Sequence, residues 1–296
     1  LSPSRVTLVV RGNPIINDAT LVDAQAAGLH QIVEIIDNGS DAPGTLLEDC
    51  SQAFRRRFAE ADLILAKGQG NFETLSDVER AGFTRFEKLG CATCHVGKWH
   101  CNGKFNSSDQ PQPGDHGFEH WFATQNNARP THKDPINFVR NGKPVGGLKG
   151  YSSELIAQEA IDWLSTSWDR SRPFCLFVWF HAPHEPIATS PKFMDMYKGH
   201  DEAIYYGNVT EMDHAFGRVM AALDDMNLRD ETFVLFTSDN GPWYEGSAGA
   251  LRGRKGQSYE GGFRVPFIAR WVGRIPRGRV CSEPVMNLDL FPTLLS

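Results

Sequence analysis

The sequence predicts an α/β fold: a mostly parallel sheet flanked by helices, preceded by a further α/β segment at the N-terminus. Three observations predict it. Short apolar, β-branched runs alternate with stretches of helical periodicity from the first residues onward. Later runs such as Phe174 to Phe180 are apolar without alternation, the pattern of strands covered on both faces. Polar groups gather directly after those runs, where the carboxyl ends of strands in an open α/β sheet form a ligand crevice.

Taken in order, Val6 to Val10 reads as a buried strand that Arg11-Gly-Asn-Pro14 ends. Asp18-Ala-Thr20 can cap a helix from Leu21 to Ala27, with Gly28 as its stop. A second strand follows at Ile32 to Ile36, then the turn-rich loop Asp37 to Gly44 and a helical stretch around Ser51 to Ala61. Leu63 to Ala66 reads as a third strand, and Lys67-Gly-Gln-Gly-Asn71 leaves it to open a helix at Phe72 to Ser76. Backbone N–H groups and the helix dipole favour an anion there.

After about residue 78 the texture changes. Gly90 to Gly97 is strand-like, and the Pro-, Gly- and Asn-rich stretch from Asn102 to Tyr151 is expected to be mostly loop. Ser152 to Leu164 carries apolar residues at helical spacing with Glu154 in the first turn, an amphipathic helix. Beyond it, Phe174 to Phe180, Phe233 to Thr237 and Val265 to Trp271 read as buried strands and Ala203 to Leu223 as a long helix.

Composition narrows the classes of function. With 30 basic and 36 acidic side chains the formal net charge is −6, which argues against a nucleic-acid partner held by bulk charge. No apolar run approaches the ~18 residues of a membrane span. Six cysteines in 296 residues are too few for a disulfide scaffold. Cys91-Ala-Thr-Cys-His95 matches the c-type haem attachment pattern, and Cys94, His95, His100 and Cys101 can be read as a zinc cluster. On a strand, however, Cys91 and Cys94 point to opposite faces, poor geometry for two thioethers on one haem.

The chemistry concentrates after three strands: Gly97-Lys-Trp-His100, His181-Ala-Pro-His184 and Ser238-Asp-Asn-Gly241. Lys98, Lys255, His100, His181 and His184 supply cationic or donor groups for an oxyanion, while Asp239 and Asn240 are adjacent hard oxygen donors suited to Ca²⁺ or Mg²⁺. Together they describe a metal-assisted site for a charged ester.

These residues resemble the sulfatases of the alkaline-phosphatase-like superfamily. The resemblance lies in six blocks in the family's order: Gly90 to His100, Phe180 to Pro186, Tyr205 to Gly217, Phe236 to Pro242, Leu251 to Pro266 and Asp289 to Leu295. In that family a formylglycine hydrate made from Cys or Ser attacks sulfur, and Ca²⁺ neutralises the sulfate of a small-molecule or saccharide sulfate ester. The resemblance implies that Lys98 and Lys255 contact sulfate, that His100 partners the formylglycine and that His184 assists departure of the alcohol. It places His181 with the substrate-binding group, and Asp239 and Asn240 among the calcium ligands. The family's first strand carries two calcium aspartates and then Cys-x-Pro-Ser-Arg. Leu1-Ser-Pro-Ser-Arg5 mimics that motif with leucine in the cysteine's place, so the chain as written is expected not to turn over sulfate esters.

Residues 6 to 77 resemble instead the C-terminal part of the metal-dependent damage-control phosphatases, through Val6 to Thr20, Gly39 to Thr45 and Ala66 to Thr74. That resemblance implies a second divalent metal held by Asp18 and a phosphate contact at Lys67, with Asn17 and Asp41 as neighbours. The expected organisation is therefore a phosphatase-like segment over 1–77 and a sulfatase-like domain over 78–296. A natural fusion, a fragment and a misjoined reading frame all fit such a join. Three functions follow: a sulfuric ester hydrolase segment, a metal-dependent phosphatase of sugar phosphates or damaged metabolites, or a non-catalytic remnant or binding scaffold. Sulfatase relatives are commonly exported and the phosphatase relatives cytosolic, so the two resemblances point to different compartments.

Overall fold

The apolar run that opens the sequence becomes β1, Thr7–Val10, in parallel register with β2, Glu34–Asp37, from Thr7 opposite Glu34 to Val10 opposite Asp37. This computed structural model describes residues 6–13, 19–42, 45–60, 90–243, 245–283, 285 and 290. The expected third strand Leu63 to Ala66, the helix at Phe72 to Ser76, the motif Leu1 to Arg5 and most of the block Asp289 to Leu295 lie outside those residues. Two compact units divide the chain, Leu1–Arg85 with Pro284–Ser296, and Phe86–Glu283.

Within the first unit, α1 (Leu21–Ala26) starts where the Asp23 carboxylate accepts from both the backbone N–H and the hydroxyl of Thr20, at 2.8 and 2.7 Å. It stops before Gly28, whose φ of +74° suits glycine. The Ser51 hydroxyl accepts from Phe54 N–H at 3.1 Å and opens α2, Gln52–Glu60. Between the two, the buried Asn38 side chain accepts from the Gly12 and Ser40 backbone N–H groups and fixes the loop after β2.

The second unit is built on β3 (Ala92–Lys98), β4 (His120–Thr124), the short β5 (Val139–Arg140) and β6 (Lys143–Pro144), and β7 (Phe174–Trp179). Their order is β6-β5-β4-β3-β7, with β3 parallel to both β4 and β7 and the β5–β6 hairpin antiparallel at the edge. One face of the sheet packs on α3 (Ser152–Asp162) and α5 (Ala203–Asp225); a short α4 (Pro191–Met194) lies between them in sequence. Ala92, Cys94, Val96 and Phe122 meet Ile156, Ala160, Leu164, Ala215 and Val219 in that core. At the rim, Arg140 donates to both carboxylate oxygens of Glu159 at 2.6 and 2.5 Å, tying the hairpin to α3.

β4 corrects the expectation of loop over 102–151. His120 to Thr124 is a buried central strand, its run too short to stand out amid the surrounding Pro and Gly. The other described strands fall where expected, but β7 and the ribbon that β8 (Val234–Thr237) forms antiparallel with β9 (Phe267–Arg270), after a short α6 (Glu260–Phe263), are only half-buried, with Ile268 exposed, which corrects the expectation of buried strands there. Strand alternation places Cys94 in the core and turns His95 to the other face, where Trp99, Phe118 and Trp179 surround it. Among the described residues, no helix is long and apolar enough to cross a membrane.

Candidate functional site

The ends of β3 and β4 run on together past their last strand residues: Trp99 N–H donates to Thr124 C=O at 2.9 Å and His100 N–H to Gln125 C=O at 2.7 Å. This delivers Lys98 and His100 to the same rim, with His100 in the left-handed region at φ +48°. Gly97 makes the approach possible. A Cβ there would lie 1.9 Å from the Trp179 carbonyl oxygen, so only glycine lets β3 and β7 close at this level. Gly241 plays the same part after β8, where a Cβ would lie 1.9 Å from the Gly261 carbonyl oxygen. Lys255 N–H donates to Pro242 C=O at 2.9 Å, so the Lys255 loop is tied to the end of β8.

Electrostatics shows which charges converge. Burial holds the Lys98 ammonium below the ordinary lysine range; neighbouring Lys255 lowers it further, while Asp239 and Glu185 pull the other way. His100 is likewise held below the usual histidine range by burial, then by Lys98, His184 and Lys255, with Asp239 opposing. Lys98, His100, His184, Lys255 and Asp239 therefore share one field, although they come from four separate stretches of chain. Such a group can hold a tetrahedral oxyanion: two ammonium groups and two imidazoles stand with the carboxylates of Asp239 and Glu185 around the rim.

Two groups hold the His184 ring at Nδ1: Asn127 Nδ2 at 3.0 Å and the Glu185 carbonyl oxygen at 2.8 Å, to which Asn127 Nδ2 also donates at 2.8 Å. A carbonyl oxygen only accepts, so its contact calls for a hydrogen on Nδ1. His181 is placed differently, with 2% of its surface exposed and Nε2 2.7 Å from the Thr124 hydroxyl. That hydroxyl donates to the Asn126 carbonyl at 2.6 Å, so His181 Nε2 is the donor of the pair and the ring is neutral, its pKa driven well below normal first by burial. Behind it lies His132, 1% exposed, 6.0 Å ring to ring from His181, accepting from Asn208 at 3.2 Å, with its pKa pushed down to about 4 by burial.

Asp239 and Asn240 stand directly after β8 and offer one carboxylate and one carboxamide oxygen. Their chemistry fits Ca²⁺; their number does not reach the six to eight oxygens that ion takes. Among the described residues, no group of three or more His, Cys, Asp or Glu converges around a metal position. Asp18 and Lys67, the phosphatase-like candidates, lie outside the described residues.

A sulfatase family model matches residues 83–296, most of the chain. The chain belongs to the sulfatase family. A model of the damage-control phosphatase ARMT1-like domain matches residues 2–101, so residues 83–101 fall within both matches. Among curated sulfatases, N-acetylgalactosamine-6-sulfatase of Canis lupus familiaris is 35% identical over 236 residues, covering 71% of this chain and 43% of its own length. Steryl-sulfatase of Mus musculus is 40% identical over 171 residues, covering 54% of this chain and 26% of its own length. This sulfatase chain thus spans less than half the length of these relatives. The crystal structure of Ps i-CgsB in complex with k-i-k-neocarrahexaose superposes with a TM-score of 0.66 at 27% identity, covering 74% of this chain and 53% of that one.

Reading the sequence missed Thr124, Asn126, Asn127 and His132, because all four lie in the stretch taken for loop. The available signal was His120-Trp-Phe-Ala-Thr124, five residues of strand propensity that end directly before Gln125-Asn-Asn127. Strand followed by polar cluster is the pattern that identified the other three site segments.

Proposed function

We propose that the second unit is the sulfate-recognising part of a sulfuric ester hydrolase acting on sulfated saccharides. The observation that carries this reading is the shared field of Lys98, His100, His184, Lys255 and Asp239, built from separate strand ends. Lys98 and Lys255 hold the sulfate oxygens. His184 faces the bridging oxygen and, where a nucleophile is supplied, would donate to the departing alcohol. His100, held toward its neutral form, would accept a proton from such an attacking group. His181 is a positioning residue in this scheme, since its ring is spent on Thr124. Asp239 and Asn240 are the residues that would hold Ca²⁺, which when bound neutralises sulfate charge. The substrate class rests on the relatives, one named for an N-acetylgalactosamine sulfate and one solved with a neocarrahexaose.

The chain as written binds sulfate esters without turning them over in this scheme. The cysteine beside His100, Cys101, turns its thiol onto the Trp99 carbonyl at 3.1 Å, and burial pushes its pKa up to about 11. It is no nucleophile at neutral pH. Turnover of an aryl sulfate by this chain, lost in Lys98→Ala, would overturn that part. Calcium binding that disappears in Asp239→Ala supports the metal assignment, and calcium binding indifferent to the substitution removes it.

The match of residues 2–101 to the ARMT1-like domain favours a second reading for the first unit, a metal-dependent phosphatase using Asp18 and Lys67. Metal-dependent phosphate release from sugar phosphates, weakened by Asp18→Asn, is its test. If the chain neither binds sulfate and calcium nor releases phosphate, the remaining reading, a non-catalytic remnant or scaffold, stands.

A further inference from the structure

His184 stands on the stretch His181 to Ser190, and α5 holds the far end of that stretch. The approach is close: a Cβ on Gly207 would lie 3.0 Å from the Met194 backbone, so α5 lies directly against α4. The next turn of α5 supplies two buried polar side chains, Asn208 and Glu211, each 1% exposed. Asn208 Nδ2 donates to the Ala188 carbonyl at 3.1 Å, and Glu211 Oε2 accepts from Ser190 N–H at 3.4 Å. The same Asn208 nitrogen reaches His132 Nδ1 at 3.2 Å. We infer that His132, anchored by Asn208, is a positioning residue for His184, so that α5 sets the geometry of the oxyanion site through a buried polar bridge. This rests on the sulfate-binding reading of that site and adds the support on which its His184 depends.

His132 meets the stretch with its backbone as well as its ring. Its N–H donates to the Pro186 carbonyl at 3.4 Å, and its own carbonyl accepts at 2.7 Å from the N–H of Ser152, the first residue of α3. The ring is 1% exposed and lies 6.0 Å from the His181 ring. The Ala188 carbonyl, an acceptor only, fixes the Asn208 amide with its nitrogen toward His132, so Nδ1 of His132 accepts. Burial pushes the pKa of His132 down to about 4; the His184 backbone carbonyl opposes that shift and the His184 ring adds to it. Main chain and side chain of His184 are thus both neighbours of the His132 ring.

Such a bridge differs from packing, because apolar contacts tolerate a sliding chain and hydrogen bonds fix it in direction as well as distance. At the near end, the His181 carbonyl accepts from His184 N–H at 2.9 Å and the His181 ring is held on Thr124, the last residue of β4. At the far end, 186, 188 and 190 are tied to His132, Asn208 and Glu211. His184 lies between the two anchors. An imidazole on a segment fixed at both ends keeps its place before any ligand arrives. Freeing one end lets the ring drift, and a displacement of about 1 Å is enough to spoil its contact with an oxyanion.

The test is a double-mutant cycle on affinity, read by calorimetric titration of the whole chain with 4-nitrophenyl sulfate. His132→Leu should weaken binding about fivefold, the worth of one net hydrogen bond, and should have no effect once His184→Ala has removed the ring it positions. His132→Gln, whose carboxamide oxygen can still accept from Asn208, should bind within about twofold of the parent. If urea unfolding shows that His132→Leu does not fold, Asn208→Ala takes its place in the cycle, since the ring then stays and its anchor is lost. Parent affinity in the variant, an equal loss with and without His184, or a Gln variant no better than Leu overturns the inference, while binding that depends on Lys98 keeps the site reading intact. Absence of binding by the parent chain overturns both.

Discussion

Acid should unfold the second unit through its buried histidines, and His95→Phe should blunt the effect. His95 is fully buried among Trp99, Phe118 and Trp179, neither ring nitrogen has a partner, and burial pushes its pKa down to about 3. His132, pushed down to about 4, and His181, driven well below normal, are buried neutral as well. An unfolded histidine titrates near ~6.5, so between there and pH ~4 the unfolded chain binds more protons than the folded one and stability falls as pH falls. At pH ~5.5 each ring that stays neutral costs the folded state RT ln(1 + 10), about 1.4 kcal/mol, and three cost about 4 kcal/mol. That is a large share of a domain stability of about 5–15 kcal/mol. Urea unfolding followed by tryptophan fluorescence at pH 7.5, 6.5 and 5.5 measures it. His95→Phe, which also removes two unsatisfied nitrogens, should reduce the loss by about a third. A stability equal at pH 7.5 and 5.5, or an undiminished loss in His95→Phe, would refute the reasoning.

Other expectations follow from particular contacts. Gly97→Ala forces a Cβ to within 1.9 Å of a backbone oxygen of β7 and should cost about 3 kcal/mol or more; Gly146→Ala, with φ +81° and open space around it, should cost about 1 kcal/mol, and equal losses in urea unfolding would defeat the close-approach account. Asn127→Ala removes the side chain that meets both His184 Nδ1 and the Glu185 carbonyl, so saccharide sulfate binding should weaken about fivefold; unchanged affinity by calorimetry would sink its positioning role. Inorganic sulfate at about 100 times its Kd should stabilise the chain by about 2.7 kcal/mol, and the gain should vanish in Lys98→Ala.

How much of this was legible in the sequence depends on what each residue's role requires. Lys98, His100, His184 and Asp239 could be read because each follows an apolar strand long enough to be recognised, and strand ends are where such sheets place ligands. The helix from Ser152 was legible from its apolar spacing, although its end was not: Trp163 to Ser167 winds into a π-turn that no local pattern announces. β4 escaped because His120-Trp-Phe-Ala-Thr124 lacks the unbroken apolar, β-branched run of the other strands and sits within a Pro-, Gly- and Asn-rich stretch, and with it escaped Asn127. His95 is the opposite case. Its neighbours Cys91 and Cys94 suggested haem or zinc, and only the strand's alternation separated the thiol in the core from the imidazole on the far face.

The costly polar groups are not spread evenly. The face of the sheet under α3 and α5 is apolar and densely filled. The opposite face and the strand ends hold His95 and Trp99 with unpartnered nitrogens, the neutral His132 and His181, and a Lys98 whose charge is disfavoured by burial. Each lowers the stability of the free chain, and each sits in or behind the rim where the oxyanion would bind. An anion placed between Lys98 and Lys255 relieves the repulsion between two ammonium groups and favours the charged form of Lys98 that burial opposes. The apolar face therefore carries the stability that lets the other face hold its groups desolvated and aimed before any ligand arrives, and that readiness is what a sulfate site needs.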